Sequence, residues 1–188
     1  MNVLLHAFAL SAILGTAVAG TALAEDNPMV GGAAMFADKT IVENAANSAD
    51  HTTLVAAVQA ADLVDTLSGE GPFTVLAPVN TAFAALPEGT VETLLMPENK
   101  GMLQTVLGCH VIPTLALSGD IASMVEADGG EHTVETVGGC VLTLKAAGGM
   151  VTVTDENGAT ANVTIADVRQ SNGVIHVIDT VLTPKAAM

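Results

Sequence analysis

The chain of 188 residues has few aromatic side chains: four phenylalanines, with no tyrosine and no tryptophan. Protein interfaces draw heavily on tyrosine and tryptophan, and stacking on sugars also needs aromatic rings. Any binding surface on this protein must therefore use aliphatic groups, backbone and carboxylates. Carbohydrate recognition by ring stacking is disfavoured.

Basic residues are also scarce, since five of them accompany twenty acidic residues and the formal net charge is -15. Binding to nucleic acids requires clustered lysines and arginines that displace counterions from phosphates, and the sequence contains no such cluster. A surface with this charge is also repelled by anionic lipids. The composition excludes a nucleic-acid partner and argues against attachment to acidic membranes.

The short motifs of common enzymes are absent. There is no Gly-x-Ser-x-Gly or Ser-x-x-Lys motif and no glycine loop that would bind phosphate. His-x-x-x-His and Cys-x-x-Cys spacings are missing too. The acidic run from Asp155 to Gly158 lacks the spaced ligands of a calcium loop, and we predict a hairpin turn there. We therefore expect no enzyme activity, no metal and no cofactor.

Residues 1 to 24 are predicted to form a cleavable signal peptide. An apolar stretch from Val3 to Val18 leads to an Ala-x-Ala cleavage pattern that ends at Ala24, ahead of the acidic Glu25. The alternative is an uncleaved membrane anchor, because the stretch is nearly long enough to span a bilayer. Cleavage after Ala24 would give a secreted or periplasmic protein with no further membrane span. Residues 25 to 38 are predicted as a linker and residues 39 to 185 as one domain.

Hydrophobic spacing predicts a helix-rich first half and a strand-rich second half. Leu54, Val58 and Ala61 recur at helical spacing. A further helix is predicted from Asn99 to Val106, followed by a strand from Leu107 to Ile112. From position 132 onward, short β-branched runs alternate with glycine-rich turns. This segregation predicts an α+β domain.

Two segments resemble the signature segments of the fasciclin domain family. The first, Gly71 to Leu86, predicts a buried strand, a proline turn and a helix capped by Asn80. The second, Ser171 to Pro184, predicts an Asn-Gly turn and a β-rich run. The resemblance extends from about Ile41 to Pro184. It implies a single β-sandwich or wedge of about seven strands, with several helices packed along one side.

The resemblance also implies a function, with one departure. The pair Cys109-His110 falls where the family usually has Tyr-His, which is implicated in integrin-mediated adhesion in animal members. We therefore expect a binding module for cell adhesion, matrix or envelope interactions, with a partner other than an integrin. The candidate contact surface consists of Asn80, Thr81 and His110. The alternative is a small-molecule or lipid carrier, which would need an apolar pocket between helices and sheet.

The two cysteines, Cys109 and Cys140, are predicted to form a disulfide, because an even number in an exported protein favours pairing. The alternative is a pair of small buried thiols. Closing a loop of 31 residues (140 minus 109) would contribute about 3.5 kcal/mol in the chain-entropy model. A strand at Cys109-His110 would point the two side chains to opposite faces and exclude a catalytic dyad. His110 and His176 are expected to be structural, and His132 to be exposed.

Overall fold

A computed structural model describes residues 27 to 185. The predicted signal peptide and its cleavage after Ala24 lie outside the described residues. In the described part of the chain, no helix is both long enough and apolar enough to cross a membrane.

Short α-helices dominate the first half of the described chain, and a seventh helix follows between two strands. They are α1 (Ile41–Ala45), α2 (Thr52–Ala60), α3 (Val64–Ser68), α4 (Asn80–Ala84), α5 (Thr90–Leu94), α6 (Lys100–Gly108) and α7 (Ser118–Ala127). Two single turns of 3-10 helix lead into α2 and α6. The helical half predicted from the spacing of apolar residues is confirmed.

Strands form one small hairpin and one seven-stranded sheet. They are β1 (Met29–Val30), β2 (Ala33–Ala34), β3 (Phe73–Pro78), β4 (Val111–Ile112), β5 (His132–Glu135), β6 (Val141–Ala147), β7 (Met150–Thr154), β8 (Thr160–Gln170) and β9 (Gly173–Ile178). The order in the large sheet is β4-β3-β9-β8-β7-β6-β5. Among the strands of residues 27 to 185, only β3 and β9 pair in parallel, and these are the strands of the two signature segments. The α+β class with about seven strands is confirmed.

Buried apolar side chains form two clusters on opposite faces of the central strands. One lies between β3, β9 and the helices α1 to α6, and the other lies between α7 and strands β6 to β8. In β3, Val75 faces the first cluster and Leu76 faces the second. Because both faces of β3 and β9 are covered, their sequences are almost continuously apolar.

The segment from residue 107 to residue 112 differs from the prediction. Helix α6 continues to Gly108, Cys109 follows in helical conformation, and the strand is limited to Val111 and Ile112. Leu103, Val106 and Leu107 are all buried on one side of α6, so packing extends the helix through the apolar run. The predicted strand from Leu107 is therefore wrong. The argument against a Cys109-His110 dyad assumed this strand, so that argument does not hold either.

Residues 27 to 38, predicted as a linker, include the hairpin of β1 and β2. Val30 and Met35 bury their side chains in the first cluster. Asn44, on α1, holds this segment through its amide, which accepts from Phe36 N–H at 3.0 Å and donates to the Phe36 carbonyl at 2.7 Å. We therefore propose that the folded unit begins before residue 39.

Candidate functional site

The side chain of Asn80 connects two helices. Helix α4 begins at Asn80, with Val79 in the capping position, so the predicted capping of this helix by Asn80 is wrong. The Asn80 carbonyl oxygen instead accepts from Thr53 N–H at 3.0 Å, and its amide donates to the Ala49 carbonyl at 2.8 Å. Asn80 therefore fixes the start of α2, while the adjacent Thr81 is exposed.

His110 lies in the interior, with only 2% of its surface exposed. The Leu182 N–H donates to its Nε2 at 2.9 Å, so the ring proton is on Nδ1, which donates to the Val106 carbonyl at 2.8 Å. Burial lowers the pKa of His110 to about 4. In this fold His110 cannot contact a partner directly, because both ring nitrogens are used inside the domain.

His176 has the opposite tautomer. Its Nδ1 accepts from Asp167 N–H at 3.3 Å, so its Nε2–H donates to the Ala116 carbonyl at 2.8 Å. Burial lowers the pKa of His176 as well. Both histidines are neutral connectors between the sheet and adjacent segments, as expected from their apolar surroundings.

Asn172 has a similar role in the second signature segment. Its carbonyl oxygen accepts from Ile41 N–H at 3.0 Å, and its amide donates to the carbonyls of Leu67 and Gly69 at 2.8 and 3.0 Å. The buried side chain thus connects α1 and the end of α3 to the turn before β9. These contacts are more than 100 residues apart in sequence.

Asp155 is a buried carboxylate that sequence reasoning placed only in a hairpin turn. One oxygen accepts from the N–H groups of Asn157 and Ala159, both at 2.9 Å. The other accepts from the Thr183 N–H at 2.9 Å and from its hydroxyl at 3.1 Å. The turn is confirmed, and its first residue also holds the segment after β9. The run Asp-x-Asn-Gly indicates the turn, but no sequence signal indicates Thr183.

Cys109 and Cys140 lie at bonding distance, with their Cα atoms 5.2 Å apart. Two glycines bring these segments together: a Cβ added at Gly108 would lie 2.7 Å from the Gly138 Cα. The end of α6 therefore packs backbone against backbone on the turn between β5 and β6. This contact gives the cysteine pair its spacing.

We expect the reduced and alkylated protein to be about 3.5 kcal/mol less stable than the oxidised protein, because the link restricts the unfolded chain. Urea denaturation of the two forms measures the difference, and the Cys109→Ser, Cys140→Ser double variant controls for the alkyl groups. Mass spectrometry after alkylation shows whether the disulfide bond is present. Full alkylation of denatured protein without a reductant would contradict the disulfide.

The interior offers little room for a ligand. Between the helices and β3, the described part of the chain leaves about 40 Å³ of apolar space, lined by residues such as Leu54, Val75 and Leu107. Binding pockets for small molecules are typically at least about 300 Å³. Among residues 27 to 185, no three histidine, cysteine or carboxylate side chains converge as metal ligands would. The packed core counts against a carrier function.

The surface has a larger recess, which we call the Arg169 groove. It is an open groove of about 590 Å³. The lining residues come from four separate parts of the chain: Thr40, residues 68 to 72, Leu115 and Leu117, and residues 169 to 173. Arg169 is exposed, and Leu115 has 49% of its surface exposed. None of the residues predicted as the contact surface lines this groove.

Comparisons with known proteins agree with this architecture. The family model described as the fasciclin domain matches residues 49 to 184. Protein sll1483 of Synechocystis is 50% identical over 123 residues, which are 65% of this chain and 61% of that protein. Transforming growth factor-beta-induced protein ig-h3 of Sus scrofa is 37% identical over 66% of this chain and 16% of its own length. Immunogenic protein MPB70 of Mycobacterium bovis is 30% identical over 66% of this chain and 56% of its own. The chain thus spans less than two thirds of each of these three relatives.

Among solved structures, a FAS1 domain pair from the insect cell adhesion molecule Fasciclin I matches with a TM-score of 0.68. The match covers 77% of this chain and 50% of that one, at 18% sequence identity. At this identity the match supports the fold alone.

Proposed function

We propose, from the premise that this chain belongs to the fasciclin domain family, that it is an exported binding module. Its partner would be a protein or another component of the matrix or cell envelope, held by surface complementarity. No bond would be made or broken in the process. Cell adhesion is one form that such binding takes.

The observation that carries this proposal is the contrast between a packed interior and an open surface groove. His110, His176 and Asn172 bond within the domain, and the apolar space between the helices and β3 is only about 40 Å³. Recognition therefore falls to the surface, where the Arg169 groove provides about 590 Å³ of open space.

Two further observations support the location and the type of function. The predicted signal peptide and the cysteine pair both suit an exported protein in an oxidising compartment. The fasciclin domain family, whose model matches residues 49 to 184, consists of adhesion and binding modules, which supports binding as the class of function.

The proposal predicts saturable binding of the protein to its own envelope. Fluorescently labelled protein spanning residues 25 to 188 would be titrated onto envelope fragments of the source organism. We expect a plateau and displacement by unlabelled protein. The same protein, reduced and alkylated in denaturant, serves as the unfolded control. A signal that rises linearly and equals that of the control would contradict the proposal.

A further inference from the structure

Arg169 differs from the other cations of the protein. It is the only arginine in the sequence. Within residues 27 to 185, ion pairs join Lys100 to Asp62, His132 to Asp128 and Lys145 to Glu131, and Arg169, like Lys39 and Lys185, takes part in none of them. The strongest hydrogen-bond donor on an acidic surface therefore lies in the groove without an anionic partner.

Part of the lining of the Arg169 groove is backbone that hydrogen bonds hold in place. A Cβ added at Gly71 would overlap the Asn172 carbonyl, so the chain at these two lining residues packs backbone against backbone. The side chain of Asn172 fixes this region through its three hydrogen bonds to α1 and the end of α3. A site formed in advance in this way loses little conformational freedom when a ligand binds.

The remaining lining is partly apolar and partly hydroxylic. Leu115 and Leu117 form an apolar wall, while Ser68 and Ser171 add exposed hydroxyl groups. No aromatic side chain lines the groove, which disfavours stacking on a sugar ring. Glu70 is also exposed and adds one carboxylate to the lining. This carboxylate repels the acidic group of a ligand and so restricts where that group could lie.

We propose that the Arg169 groove binds an extended segment of a partner polypeptide through one acidic side chain. The guanidinium holds the carboxylate in a two-pronged hydrogen bond, and a neighbouring apolar side chain packs on Leu115 and Leu117. This inference rests on the proposed function and names the chemistry of the partner. Because the protein carries a net charge of -15, most of its surface repels acidic segments, and Arg169 supplies a local positive charge that attracts them to this groove.

Nuclear magnetic resonance tests the inference directly, because a single arginine gives a single Nε–Hε resonance. The probes are the capped peptide Leu-Glu-Leu and its neutral counterpart Leu-Gln-Leu, titrated into labelled protein. We expect the acidic peptide to shift the Arg169 resonance and the Leu115 methyl signals. Its affinity should be about tenfold higher than that of the neutral peptide.

Two variants provide the matched controls. Arg169→Gln should reduce the affinity for Leu-Glu-Leu to that for Leu-Gln-Leu. Lys145→Gln removes the same charge elsewhere and should leave the affinity within about twofold, since exposed distant charges are screened. Equal binding of both peptides, or no shift at the Arg169 resonance, would overturn the inference. Tighter binding of an oligouronate than of Leu-Glu-Leu would also overturn it, in favour of an acidic saccharide.

A failure of the inference about the groove and a failure of the proposed function would give different experimental results. If Arg169→Gln still shows saturable envelope binding, the inference about the groove is wrong and the proposed binding function stands. If the protein binds the peptide but shows no saturable envelope binding, the inference about the groove stands and the proposed function is wrong.

Discussion

Replacing Gly173 with alanine is expected to lower the free energy of unfolding by roughly 4 kcal/mol or more. Gly173 opens β9 directly opposite Phe73 of β3, and an added Cβ would overlap the Phe73 carbonyl. The strands cannot separate to relieve this overlap, because β3 and β9 are both covered by apolar clusters on their two faces. The parallel pair that joins the two signature segments would therefore open at its first residue.

Urea denaturation followed by circular dichroism measures this loss. Gly101→Ala is the matched control, since the same change in α6 meets no atom within 4 Å. Alanine is the better helix former, so the control should gain up to about 1 kcal/mol. A cost below about 1 kcal/mol for Gly173→Ala would show that β9 does not start against β3 as described.

Mild acid is expected to destabilise the domain through its buried histidines. Burial lowers the pKa of His110 from 6.5 to about 4, and it lowers the pKa of His51 and His176 too. The unfolded chain takes up protons as the pH falls below 6.5, while the folded chain does not until each lowered pKa is reached. Stability is therefore greatest above pH 6.5 and falls as the pH approaches 4. The loss from His110 alone is about 3 kcal/mol.

Unfolding free energies measured at intervals between pH 7 and pH 4 test this prediction. His110→Gln should be less stable at pH 7, and its stability should fall less steeply with acid because one titrating group is gone. Ile121→Val, a core change without a titrating group, should cost about 1 kcal/mol at every pH. Stability that stays constant from pH 7 to pH 4 in the unaltered protein would refute the neutral, buried state of these rings.

The sequence predicted best those structural features that depend on residues close together in the chain. Alternation of apolar residues and glycine-marked turns predicted the strands of the second half, and the turn from Asp155 to Gly158 was found from four consecutive residues. The run from Val106 to Ile112 suits a helix or a strand equally well. Only the packing of α6 against the sheet decides between them.

The candidate site was less predictable because its contacts join distant segments. Asn80 suits a helix cap, yet its side chain accepts from the Thr53 N–H in the first turn of α2, 27 residues earlier in the chain. The resemblance to the family's Tyr-His pair suggested His110 as a contact residue, but its bond to Leu182 spans 72 residues and holds it in the interior. The Arg169 groove combines four stretches that no local pattern connects. Nothing in the sequence around Arg169 marks it, apart from its being the only arginine.

The central claim is that buried polar side chains such as that of His110 form the framework and that recognition takes place on the Arg169 groove. The most direct test compares envelope binding, expressed per folded molecule, for His110→Gln and Arg169→Gln. The account predicts that His110→Gln loses stability but binds normally once folded, and that Arg169→Gln keeps its stability but loses most of its binding. Normal binding by Arg169→Gln together with impaired binding by folded His110→Gln would contradict it.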